Sequence, residues 1–174
     1  MDLPHTKIIS PWMVPLPETL KCNCDAAVGL SFSSIAVVAR DWRGKVVLAL
    51  SKKVNTTIPL QAEAEAILWA TSIAADQRLN RVCFESNSKT CMDCLSSPKS
   101  DSPWHISSFM SQVLSLASSH SSWSFKWVCR EANSAPDALA SWSLNFYSWG
   151  LFNFCNSRAS FVIACMQDCS NVFY

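Results

Sequence analysis

The chain has 174 residues, 49% hydrophobic and 16% charged, which excludes intrinsic disorder as its main state and allows one domain with a sizeable core. Fourteen Lys and Arg against thirteen Asp and Glu give a formal net charge of +1. Binding of a polyanion by bulk charge is thereby excluded, and any nucleic acid must be held by a local site. Only three glycines are present, too few for a glycine-rich phosphate loop.

In chain order, residues 1–18 hold four of the eight prolines and read as an extended leader. From Lys21 the pattern alternates with period two, placing Cys22, Cys24 and Ala26 on one strand face and Lys21, Asn23 and Asp25 on the other. A second apolar run, Ile35 to Ala39, leads into the hairpin-like turn Asp41-Trp42-Arg43-Gly44, and Lys45 to Leu50 reads as a third strand. Pro59 opens a helix whose apolar stripe is Ala66, Ile67, Ala70, Ile73 and Ala74. Glu63 lies one turn before that stripe and extends it, while Glu65 falls on another side near Trp69. A strand Arg81 to Glu85 follows, then Ser86-Asn87-Ser88 as a helix start. Trp104 to Ala117 reads as helix and Ser124 to Cys129 as the last strand. Ser134 and Asp137 form a capping-box-like start, with Pro136 in the first turn, to a helix reaching about Phe146. The aromatic stretch from Trp149 yields no element. Three strands, a helix, a strand, helices, a strand and a helix predict a mixed five-stranded α/β sheet flanked by helices.

Nine cysteines without a secretory signal read as free thiols. Cys91 and Cys94 have the spacing of half a zinc site and lack a second pair. With no apolar run of eighteen residues, the expectation is an intracellular protein, nuclear or cytoplasmic, away from membranes.

Three acids stand out: Asp25 inside the first strand, Glu63 on the first helix and Asp137 on the last. Gathered at one sheet end, they would need cations to neutralise them, and oxygen-only ligands suit magnesium or manganese. Each has a plainer role. Asp25 can end a strand, Glu63 can face a helix dipole, and Asp137 can close the capping box.

The ordered set of motifs resembles the type 1 ribonuclease H domain, in the plant form found in non-LTR retrotransposon polyproteins. It is carried by Trp12 with Pro15 and Pro17, Lys21-Cys22-Asn23-Cys24-Asp25, Arg40-Asp41-Trp42-Arg43-Gly44 and Ala62-Glu63-Ala64-Glu65-Ala66. Phe84-Glu85-Ser86-Asn87-Ser88 and Val128-Cys129-Arg130-Glu131-Ala132-Asn133 follow, running on to Asp137-Ala138-Leu139-Ala140. The resemblance implies a ribonuclease H-like fold over residues 19–147, leaving a leader (1–18) and a tail of unassigned role (148–174). It implies metal-dependent endonucleolytic cleavage of the RNA strand of an RNA–DNA hybrid. Two Mg2+ or Mn2+ ions would be held by Asp25, Glu63 and Asp137, with Glu65 as rival to Glu63. At the third acidic position stands Asn87, whose amide oxygen can ligate but brings no charge. Glu85 shares its strand parity and is a possible substitute, and Asn87 can also serve as the cap of the following helix. Ala26 replaces the family's usual glycine, and Trp127 and Arg130 occupy the stretch where many members carry a histidine. Arg130, Asn133 and Lys126, with Lys52, Lys53 and Lys89, are the expected nucleic-acid contacts of a monomer. The competing expectation is a catalytically inactive nucleic-acid-binding or protein-interaction module.

Overall fold

The computed structural model describes residues 12–97, 102–145 and 151–153. Its elements are strands β1 (Leu20–Val28), β2 (Ser33–Arg40) and β3 (Val46–Val54), helix α1 (Pro59–Asp76), strand β4 (Val82–Ser86), helices α2 (Lys89–Ser96) and α3 (Trp104–Ala117), strand β5 (Trp123–Trp127), a 3-10 turn (Arg130–Asn133), helix α4 (Ser134–Leu144) and a short strand β6 (Leu151–Asn153). The sheet order is β5-β4-β1-β2-β3-β6. β1, β2 and β3 pair antiparallel, whereas β4 joins β1, and β5 joins β4, in parallel. The expected five-stranded mixed sheet is present, in the order of a ribonuclease H fold.

β1 is central and buried on both faces. Cys22 and Cys24 enter the larger core with Ile35, Val37, Ile67, Phe84 and Met110, under α1, α2 and α3. The opposite face carries the smaller core of Ala36, Val38, Ala49, Ala135, Leu139 and Ala140, packed beneath α4. Lys21, Asn23 and Asp25 lie on that second face and are themselves buried. Cys91 and Cys94 of α2 are buried in the larger core, consistent with thiols acting as small apolar groups. The turn after β2 forms as expected. Asp41 Oδ1 accepts the Arg43 and Lys45 amides at 2.9 Å each, and Gly44 adopts φ +81°, a conformation that favours glycine.

Four expectations need correction. β3 runs on to Val54, because its ladder with β2 continues through Lys52, Lys53 and Val54 despite their mixed polarity. The tail supplies β6, which pairs with β3 from Leu50 to Lys52. The cap before α2 is Ser88 rather than Asn87, with the Ser86 hydroxyl accepting the Ser88 amide at 3.0 Å. No capping box forms at α4, where Asn133 precedes the helix and Asp137 turns to Arg130 instead. Residues 1–11 of the leader, the end of the predicted last helix at Phe146, and residues 148–150 and 154–174 of the tail lie outside the described residues.

Candidate active site

The parallel pairing of β1 with β4 stops at Asn23 opposite Glu85, so β1 carries Asp25 beyond the ladder, near the loop that holds Asn87. Asp25 is 2% exposed. Its Oδ1 accepts the Ala26 amide at 2.8 Å, which fixes the carboxylate plane. Glu63, from the first turns of α1, lies in hydrogen-bond contact with Asp25. Apart from a proton shared between the two carboxyls, Asp25 Oδ2 and Glu63 Oε2, both buried, find no donor among the described residues. Two carboxylate oxygens can bond to each other only when one holds a proton. Burial, then the charge of its neighbour, pushes the Glu63 carboxyl well above the usual carboxylate range. Burial also raises Asp25, against hydrogen bonds from Ala26 and Glu63 that favour its charged form. Asp137 acts on both through its charge, and Arg130 opposes it. Asp25 of β1 and Glu63 of α1 thus lie together, and Asp137 of α4 acts on them through its charge without touching either.

Asp137 is not closed onto the other two. Its Oδ1 lies 3.2 Å from the exposed Arg130 guanidinium. Among the described residues no three His, Cys, Asp or Glu side chains stand close enough to enclose a metal. The donor set nevertheless fits a hard divalent cation, since two buried carboxylate oxygens lacking any other donor are what such an ion satisfies. Asn87 is half-buried, and its carbonyl accepts the Trp127 indole N–H at 3.1 Å.

The rivals fall away on contacts. Glu65 is half-buried on another side of α1, where burial raises its carboxyl and Lys52 opposes the rise. Glu85 cannot replace Asn87, because its Oε1 pairs with Lys21 Nζ at 2.9 Å and its Oε2 accepts Asn23 Nδ2 at 3.0 Å. Asn133 is a correction. It is fully buried, donating to the Cys24 carbonyl at 2.9 Å and accepting from Asn23 at 3.2 Å, so it presents no atom to a ligand. Lys126 and Arg130 are exposed, as a phosphate contact requires. Lys52 lies over Trp69, Lys53 over Phe32 and Lys89 beside Asp93. The sequence reading missed the buried set of Lys21, Asn23, Glu85 and Asn133. The signal available was three polar residues alternating within one central strand.

The sheet order and helix placement define a ribonuclease H-like domain. The chain belongs to the reverse transcriptase-like family, whose model matches residues 23–143. Similar solved structures include RNase H1 of the halophilic archaeon Halobacterium salinarum NRC-1, with 20% identity, 73% of this chain and 98% of that chain covered, and a TM-score of 0.67. LC11-RNase H1, isolated from compost and solved in complex with an RNA/DNA hybrid, is 16% identical over 73% of this chain and 97% of its own, with a TM-score of 0.66. The foamy viral protease-reverse transcriptase in complex with RNA/DNA hybrid is 17% identical over 83% of this chain and 22% of its own, with a TM-score of 0.60. No curated protein sequence matches the chain. Among the described residues no helix is long and apolar enough to cross a membrane.

Proposed function

We propose that the protein is a metal-dependent endoribonuclease that binds RNA–DNA hybrids and cuts their RNA strand, working as a monomer in the nucleus or cytoplasm. The carrying observation is the Asp25–Glu63 pair, whose two buried carboxylate oxygens find no other donor among the described residues, with Asp137 acting on both acids through its charge. Asp25, Glu63 and Asp137 would hold Mg2+ or Mn2+, with two ions expected. Bound there, such ions supply Lewis-acid polarisation of a phosphodiester and a water. The Ala26 amide keeps Asp25 aimed, and Arg130 restrains Asp137. Lys126 and Arg130 are both exposed and would meet backbone phosphates, Arg130 from its pairing with Asp137. Asn87 brings an amide where the resemblance expects a carboxylate, so cleavage should be slow. The motif set, including Trp12 with Pro15 and Pro17, supports a plant, retrotransposon-derived origin.

A second reading keeps hybrid binding and drops the chemistry. It is favoured by the neutral Asn87 and by the Arg130–Asp137 pair, which offers Asp137 a partner other than metal. A hybrid labelled on either strand decides between them. Weak, EDTA-sensitive cleavage confined to the RNA strand, strengthened by Asn87→Asp, supports the nuclease. Tight binding with no cleavage by either protein supports the inactive module.

A further inference from the structure

Beside the acids, but lined by none of them, lies an open-mouthed cavity of about 160 Å³. Trp12, Trp127, Lys21, Glu85, Lys126 and Ala132 are among its walls. Lys21 and Asp25 share one face of β1 with Asn23 between them, which puts the cavity about 13 Å along the strand from the acids at 3.3 Å per residue. Both indoles are fixed by their N–H groups. Trp12 donates to Asn23 Oδ1 at 2.9 Å, and Trp127 donates to the Asn87 carbonyl at 3.1 Å. Trp127 is nonetheless 47% exposed, an aromatic surface held rigid and half uncovered. The buried Lys21–Glu85 pair also lines the cavity. Among the described residues Lys21 Nζ donates to the Met13 carbonyl and to Glu85 and lies over the Trp12 ring at 5.2 Å, and Glu85 accepts from Lys21 and Asn23. A carboxylate has about four acceptor sites, so Glu85 keeps some acceptor capacity beyond Lys21 and Asn23. Lys126, exposed on the wall, adds a cation within reach of a phosphate.

A cavity of about 150 Å³ holds one benzene-sized ring. We propose that this cavity receives a single unpaired pyrimidine base from a strand adjoining the hybrid, stacked on Trp127, its polar edge toward Lys21 and Glu85 and its phosphate toward Lys126. The inference rests on the nucleic-acid reading above and adds a substrate preference: hybrids with single-stranded pyrimidine flanks over blunt ones. Only an unstacked base can enter, since a paired base already has its faces covered. Pre-fixed tryptophans keep the ordering cost of binding low.

Fluorescence anisotropy with the full chain, in calcium to suppress cleavage, tests this using blunt hybrids and hybrids with an oligopyrimidine or oligopurine overhang. The oligopyrimidine overhang should bind about tenfold tighter than the blunt hybrid, within the range of one base–aromatic stack. Trp127→Ala should erase that difference and Trp127→Phe should retain part of it. Neither should change the slope of affinity against salt. Lys126→Ala should instead lower the slope by about one, as loss of one phosphate contact does. Equal wild-type affinity for blunt and overhang hybrids overturns the pocket and leaves the nuclease reading standing. So does an overhang preference that survives in a Trp127→Ala protein melting like wild type. A wild-type protein that binds no hybrid overturns both.

Discussion

Two polar clusters sit on one face of β1, with the single residue Cys24 between Asn23 and Asp25. Around Lys21 and Asn23 each polar side chain has partners from within the fold: Glu85 from β4, Asn133 from the 3-10 turn and Trp12 from the leader. Around Asp25 the chain supplies a second carboxyl, Glu63, and among the described residues no other group donates to an oxygen of each. Buried polar groups are almost always satisfied, so the first cluster is held together by the fold, with only spare acceptor capacity turned to the cavity, whereas the second lacks partners that something from outside would supply. The first also serves the second. Asn133 ties the turn before α4 to the Cys24 carbonyl, next to Asp25, which sets where Arg130 and Asp137 can lie.

Substitutions should separate the clusters cleanly. The largest expected effect is on chemistry: Asp25→Asn should cut hybrid cleavage at least about 1,000-fold, or roughly 4 kcal/mol in barrier, in an assay of labelled RNA strand. Its melting temperature should hold or rise, because an unpaired buried charge is removed. The mirror image is Glu85→Ala, which leaves Lys21 buried without its anion. It should cost about 3–5 kcal/mol in denaturant unfolding, the usual result of breaking one side of a buried pair. A smaller effect is expected at the third position. Asn87→Asp should raise cleavage about tenfold, one added carboxylate near a cation lowering the barrier by about 1.4 kcal/mol.

The pH dependence of stability sharpens the contrast further. Asp25 is raised to about 6 and Glu63 to about 9, by burial above all. Acids that hold protons more tightly folded than unfolded stabilise fully below the unfolded range near pH 4 and lose that contribution as pH climbs through the folded values. The metal-free protein should therefore melt at lower temperature as pH rises from about 5 to 9. Glu63→Gln should flatten that slope, and a Glu85 substitution should leave it in place.

Much of the fold was legible because it depends on local patterns. Alternation in β1, the Asp41–Gly44 turn and the Ala-rich stripe of α1 each report their own element. β6 was not legible, since three residues pair with β3 through backbone and need no pattern of their own. The three acids could be named from their elements, but how near they come to one another depends on β1 lying centrally between α1 and α4, which no spacing encodes. The role of Asn133 was misread for the same reason. Polar residues in a turn look like surface until the strand they clamp, here 109 positions away in sequence, is placed beneath them. Asp137 looked like a capping acid, and its partner Arg130 lies outside the helix, where a cap motif does not look.

The claim that Asp25 and Glu63 await a cation is tested most directly by titrating Mn2+ into the metal-free protein by calorimetry, in wild type and in Asp25→Asn. Saturable binding that raises the melting temperature, and that disappears in Asp25→Asn while the fold persists, is the predicted result. Absence of binding in the wild type, or binding of unchanged affinity in Asp25→Asn, would contradict it.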